Sequence, residues 1–168
     1  MDTKLKLQKM TTCLWFDKNA EEAADFYTSI FKNSKIGRKM YHGKEGQEIH
    51  KMPEGTLMTI EFQLENQQFI GLNGGPLFKF TEAVSFMINC ETQDEIDYYW
   101  EKLGEGGDPN AQQCGWLKDK FGVSWQVAPT ILDDMIASED KVKAGKVMNA
   151  MLQMKKIDIK KLEEAFNG

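Results

Sequence analysis

The sequence predicts an α+β fold: two tandem βαβββ modules forming a curved mixed sheet, followed by C-terminal helices. Three observations predict it. A strand–helix pattern over residues 9–31 returns 72 residues later, where Asp25-Phe26-Tyr27 falls over Asp97-Tyr98-Tyr99 and Phe31 over Leu103. The stretch CGWLKDKFGVSWQVAP, residues 114–129, reads as two strands around a tight turn. After Pro129 the alternation of period two gives way to helical spacing. The expected organisation is a first module over residues 8–75, a second over 82–129 and a helical extension over 130–168.

In chain order, residues 9–16 (KMTTCLWF) are β-rich and predict a strand. Asn19 is placed to cap a helix, with Glu21 and Glu22 beside the positive end of its dipole. Ala23, Phe26, Tyr27, Ile30 and Phe31 recur at helical spacing and form one apolar face. Residues 35–41 predict a strand. The polar run GKEGQEIHKMPEG, residues 43–55, predicts a mobile loop. Residues 56–64 and 68–72 alternate as two strands of a hairpin turning at Asn66-Gln67, and Asn73-Gly74-Gly75-Pro76 stops the second. Residues 83–90 (AVSFMINC) then predict a strand, and residues 92–103 a helix capped by Thr92. In the final hairpin Asp119 suits the first turn position and Gly122 the last. Val123, Trp125 and Val127 point to one face, Ser124 and Gln126 to the other. Beyond Pro129 the spacing predicts three helices, with Ser138 and Asp158 capping the second and third. The stripe Val142, Val147, Met148, Met151 and Leu152 suits packing.

With 168 residues, 41% hydrophobic and 11% aromatic, the chain can bury a full core. A net charge of -5 argues against nucleic acid as partner, which demands clustered Lys and Arg. No run approaches about 18 apolar residues, so no membrane-spanning helix is expected. The opening MDTKLKLQKM lacks the apolar run of a secretory leader, so a cytoplasmic protein is expected. Cys13, Cys90 and Cys114 are odd in number and without CxxC spacing, as expected of reduced, mostly buried thiols.

Several chemistries lack their residues. Gly104-Glu105-Gly106-Gly107 does not join a strand to a helix, and Gly74-Gly75 is not followed by Lys-Ser/Thr, so no phosphate cradle is present. There is no serine elbow and no HExxH. The pairs Glu21/Glu22 and Asp133/Asp134 sit at helix starts, as caps do. His42 and His50 lie eight residues apart in the polar loop and do not form a metal site. No metal and no cofactor are expected. What remains is an apolar surface with a few polar groups. Alternation puts Thr12, Leu14 and Phe16 on one side of the first strand and Val84, Phe86 and Ile88 on one side of its echo. Phe69, Gly71 and Asn73 belong to the fourth strand, Ser124 and Gln126 to the last. The expected ligand-binding set is Thr12, Leu14, Phe69, Asn73, Phe86, Trp116 and Gln126. The same pattern describes an ordinary core in which Gln126 bonds backbone, and the residues alone leave both readings open.

The runs CLWFDKNAEEAADFYTSIF, LNGGPLFKFTEAVSFMINCETQDEIDYYWEKL and CGWLKDKFGVSWQVAP resemble the PhnB-like branch of the vicinal oxygen chelate superfamily, the group of glyoxalase, bleomycin-resistance and dioxygenase folds. This branch also carries the description 3-demethylubiquinone-9 3-methyltransferase. The resemblance covers roughly residues 8–155 and implies paired βαβββ modules completed as a homodimer. Metal-binding members use His, Gln or Glu at four positions, which fall here on Thr12, Phe69 or Gly71, Val84 and Gln126. Only Gln126 could coordinate, and a lone amide does not hold a cation against water. The resemblance therefore implies a metal-independent small-molecule-binding protein. The alternative is an enzyme, either a methyltransferase or a glyoxalase-type lyase or isomerase.

Overall fold

A computed structural model describes residue 5 and residues 8–168. Most of the opening stretch MDTKLKLQKM, expected not to be a secretory leader, lies outside them. The chain divides into two compact units, Met1–Lys79 and Phe80–Gly168.

The first unit holds β1 (Thr12–Phe16), α1 (Ala20–Ile30), β2 (Lys35–Tyr41), a one-turn helix α2 (Gln47–His50), β3 (Leu57–Leu64) and β4 (Gln67–Asn73). Its mixed sheet has the order β1-β4-β3-β2, with β1 parallel to β4 and the other pairs antiparallel. The stretch expected to be a loop thus contains α2, entered at Gly46 and left at Lys51, both left-handed. α1 packs on β3 and β4. Its small residues Ala20, Ala23 and Ala24, with Tyr27 and Ile30, meet Leu14, Phe16, Ile60, Phe62, Leu64 and Phe69 in the core. Tyr27 stacks on Phe62 at 6.2 Å and Phe62 on Phe69 at 5.2 Å between ring centroids. Gly71 allows the helix this close. A Cβ there would stand 3.0 Å from Ile60 Cγ2 and 3.1 Å from Ala20 Cβ.

The start of α1 is held differently from the expected cap. Asn19 makes no side-chain cap bond. Asn73, 53 residues away at the end of β4, supplies it: Ala20 N donates to Asn73 Oδ1 at 2.9 Å. Asn73 Nδ2 in turn donates to Leu57 O at 3.1 Å. One amide ties the helix to two strands.

The second unit holds β5 (Ser85–Cys90), α3 (Gln93–Gly104), a 3-10 turn (Pro109–Ala111), β6 (Trp116–Lys118), β7 (Ser124–Pro129), α4 (Ile131–Ala137), α5 (Lys141–Leu152) and α6 (Ile159–Asn167). Its sheet has the order β5-β7-β6, with β5 parallel to β7 and β6 antiparallel to it. The fold class is the expected one: α+β, two mixed sheets of βαβββ-like modules, and C-terminal helices. The second module is the shorter, because the 3-10 turn stands where β2 stands in the first. Thr92 caps α3, accepting from Glu95 N at 3.3 Å, while Glu95 Oε2 accepts from Glu91 N at 2.7 Å, a reciprocal pair.

The tail is part of this unit. Leu132, Met135, Val147, Ile157 and Leu162 form a buried cluster against which Ala128, Met151 and Phe166 pack. Backbone bonds from Cys114 N to Met154 O and from Gly115 N to Lys155 O, both 2.8 Å, fasten the α5–α6 connection beside β6. Gly115 has φ +84°, and a Cβ there would stand 2.8 Å from Val127 O, so only glycine fits. Gln93 on α3 clasps the same connection, donating to Ile157 O at 3.1 Å and accepting from Ile159 N at 2.9 Å. The cap of α5 is Asp140, bonded to Val142 N and Lys143 N, where Ser138 was expected. Asp158 caps α6 as expected. Of the helical stripe, Val147 is buried while Val142 and Leu152 are exposed.

Removing the Asn73 amide leaves the buried Ala20 N–H without its partner and takes a bond from the part-buried Leu57 carbonyl. Asn73→Ala is expected to lower the unfolding free energy by about 2–4 kcal/mol. Asn19→Ala should change it by less than about 0.5 kcal/mol. Urea denaturation of both variants checks the contrast.

Candidate binding face

Each sheet carries its module helix on one face, so residue parity decides whether a side chain enters the core or the opposite face. In the first unit β1 and β4 pair as Thr12 with Phe69, Leu14 with Gly71 and Phe16 with Asn73, all on the side of α1. Leu14, Phe69 and Asn73 are buried there, so these members of the expected ligand set are core packing and Asn73 is the helix cap. Thr12 shares their parity. The opposite face presents Cys13, Trp15, Ile70, Leu72, Thr59 and Glu61. Trp15 is fixed there by a bond from its Nε1 to Gly75 O at 2.8 Å and an edge contact with Phe78 at 4.9 Å. Glu61 is buried and pairs with Arg38 at 2.8 Å. Sequence reading missed both members of this pair, and the signal was Glu61 standing between Ile60 and Phe62 in an alternating strand.

In the second unit Phe86 pairs with Trp125, Ile88 with Val127 and Cys90 with Pro129. Buried Ile96 and Leu103 of α3 mark that side as core, together with Leu117 and Val127. Phe86 therefore belongs to the core side, its ring 5.3 Å from that of Trp125. Trp116 and Gln126 lie on the other face as register partners. Three rows cross the strands there. Ser85, Ser124 and Lys118 make the first, Met87, Gln126 and Trp116 the second, Asn89 and Ala128 the third. Ala128 packs on the tail cluster, whereas Met87 is 57% exposed. Gln126 Nε2 donates to Ser85 Oγ at 2.8 Å.

These rows are positioned by the Asp119 turn. Asp119 is 3% exposed, and its Oδ1 accepts from Phe121 N at 2.9 Å and Val123 N at 3.0 Å. Its Oδ2 accepts from the Trp125 indole at 2.8 Å. The same carboxylate thus sets the turn and the strand leaving it, which fixes on which face Ser124 and Gln126 emerge. The turn role was legible from Asp-x-x-Gly; the indole bond was not, since nothing in the order of residues orients Trp125.

The four positions to which a metal set was carried do not supply one. Thr12, Phe69 and Gly71 have the parity of the α1 side, and Val84 precedes β5 and is 68% exposed. Among the described residues no group of three or more His, Cys, Asp or Glu comes together. His42 and His50 do meet, rings 4.3 Å apart, but His50 Nδ1 accepts from Met52 N at 3.0 Å. Burial first and the His50 charge second hold His42 below its ordinary pKa. Cys13 is exposed, a correction to the expectation of mostly buried thiols, although partial desolvation still raises its pKa. Burial, with a smaller push from Glu95, carries Cys90 up to about 12.

A family profile described as 3-demethylubiquinone-9 3-methyltransferase matches residues 8–128. The chain belongs to that family. The match ends within β7, so α4–α6 lie beyond it, and the resemblance expected over roughly residues 8–155 extended too far. A solved PhnB protein from Bacillus cereus is 38% identical, with 73% of this chain and 100% of that chain covered and a TM-score of 0.61. Protein PA1353 from Pseudomonas aeruginosa is 19% identical over 74% of this chain and 98% of its own, with a TM-score of 0.55, a likeness of fold. No curated protein matches. Among the described residues no helix of this PhnB-like chain is long and apolar enough to cross a membrane.

The thiols offer a check on the placement of β1 and β5. A raised pKa leaves less thiolate at a given pH, so reaction speeds up only as pH climbs past the ordinary thiol range. At about pH 8 iodoacetamide should modify Cys13 slowly and leave Cys90 unmodified in the native protein. In urea Cys90 should react at the rate of a free thiol. Mass spectrometry of the digested protein reads both.

Proposed function

We propose that the protein binds a small organic molecule without a metal ion, on the face of the β5-β7-β6 sheet opposite α3. The observation that carries this reading is the row Met87, Gln126 and Trp116: an exposed thioether, an amide and an indole side by side on one sheet face. Apolar surface of this kind contributes about 25 cal/mol per Å² covered, and one amide suffices to orient a ligand. Absence of metal from the reading rests on the donors: the Ser, Asn, Gln and Met side chains of this face do not compete with water for a divalent ion. Further parts of the reading are a homodimer, to which exposed Ile49, Leu77 and Val84 would contribute cover, and a cytoplasmic location suited to three free thiols.

The competing reading is an enzyme, either the methyl transfer named in the family description or a glyoxalase-type lyase or isomerase. Nucleotide-derived cofactors favour glycine-rich strand-to-helix junctions. Here the β1–α1 junction is Asp17-Lys18-Asn19 and the β5–α3 junction Glu91-Thr92, neither with glycine. That supports binding over methyl transfer.

Thermal-shift screening with fused-ring aromatic compounds should raise the melting temperature. Trp116→Ala should abolish the shift, and Gln126→Ala should reduce it with the fold retained by circular dichroism. Stoichiometric binding of S-adenosylmethionine in calorimetry would favour the enzyme. Light scattering on the intact chain should give twice the chain mass; deletion of the tail is no test of this, because it opens the cluster around Val147 and Leu162.

A further inference from the structure

On the face proposed above for the ligand, a second row lies beside the apolar one. Ser124 is register partner to Ser85 in parallel and to Lys118 in antiparallel, so the three side chains stand side by side across β5, β7 and β6. Neighbouring strands are about 4.8 Å apart, which brings all three within reach of one ligand group. Ser124 is 2% exposed, and its Oγ is buried with no hydrogen-bond partner. A buried hydroxyl without a partner is destabilising, so it marks a place where one is missing. Ser85 Oγ accepts from Gln126 Nε2, which leaves the Ser85 hydroxyl proton free to donate. Lys118 adds an ammonium, at present paired with the Glu82 carboxylate. The row therefore offers two hydroxyl donors and one cation, and the cation already holds a carboxylate, that of Glu82.

That occupant is loosely held. The Glu82 side chain is 60% exposed and lies outside β5, and the pairing lowers its pKa chiefly through the bond to Lys118. Exposed ion pairs of this kind contribute little, because water screens them and both side chains lose freedom. A ligand carboxylate that also met Ser124 and Ser85 would make two bonds that Glu82 does not make.

We propose that the ligand of this face is an organic acid, its carboxylate seated on the Ser85–Ser124–Lys118 row in place of Glu82 and its apolar body lying over Met87 and Trp116. This inference rests on the binding reading above and names the ligand class. Two hydroxyls and one ammonium match the single charge and two oxygens of a carboxylate, whereas a doubly charged phosphate would leave charge uncompensated.

The test is calorimetric titration of the intact protein with 2-naphthoate and with its neutral counterpart 2-naphthamide. The acid should bind at least about tenfold tighter than the amide. Lys118→Met should remove that preference, and Ser124→Ala should weaken the acid by about five- to tenfold with the melting temperature unchanged or raised, since it deletes an unpartnered hydroxyl. Glu82→Gln should tighten the acid by about two- to fivefold, because it removes the competitor. Equal binding of acid and amide would overturn the organic-acid assignment and leave the binding reading standing. Weaker acid binding in Glu82→Gln would overturn the displacement of Glu82, and with it the proposed seat. Binding of neither compound would overturn the seat and the binding face together.

Discussion

One helix per sheet is the constraint on which the rest of this structure depends. A strand points alternate side chains to opposite faces, and each unit lays its module helix on a single face. Every strand residue is thereby sorted by parity into core or opposite face. Shifting a strand by one residue would exchange the two sets, so register and core composition are fixed together. In the first unit this sorting sends Leu14, Phe69 and Asn73 beneath α1 and leaves Trp15, Ile70 and Glu61 on the other side. In the second it sends Phe86 and Trp125 toward α3 and leaves Ser124, Gln126 and Trp116 opposite.

What the sequence made legible follows from what is local. Helical spacing at Ala23, Tyr27 and Ile30, strand alternation at 123–127, and the caps Thr92 and Asp158 depend on neighbours within about four residues, and all were readable. The duplication was readable because the two helices repeat an Asp-aromatic-Tyr run. The faces were half legible. Alternation told which residues share a side, as with Thr12, Leu14 and Phe16, but not which side the helix covers. That depends on the handedness of the crossover and on Gly71 admitting Ala20, features of the assembled unit. The expected ligand set therefore mixed core residues with surface ones. Asn73 misled for a related reason. A polar residue at a strand end reads as available, yet its partners are Ala20 and Leu57, found only after β4 is placed between β1 and β3.

Two buried polar side chains show how the same chemistry settles in opposite ways. Asp119 has both oxygens satisfied, by two backbone amides and an indole, and acts as the fastening of a hairpin. Ser124, five residues on and just as deeply buried, has a hydroxyl with nothing to bond. A satisfied buried group contributes stability, and an unsatisfied one subtracts it unless something outside the unit completes it. Asp119 explains itself through the fold. Ser124 does not, and its neighbours are the residues that a ligand would need.

The helical tail sharpens the argument about where such a ligand can lie. Its cluster reaches the α3-free face at Ala128, in the third row, and its backbone is bonded beside β6 through Cys114 and Gly115. The second row keeps Met87 57% exposed, and the first keeps an ion pair whose acid partner projects from outside the strand. Along the strands the side chains change from two hydroxyls and an ammonium, through an amide between a thioether and an indole, to a third row where Asn89 is exposed and Ala128 packs on the tail cluster. A charged ligand group lying over Ala128 would meet the apolar cluster and lose water, whereas the first row offers it the Lys118 ammonium. Under the proposed reading the cation of Lys118 favours a ligand charge at the first row, and the side chains there are oriented by the Asp119 turn and the Gly115 clasp.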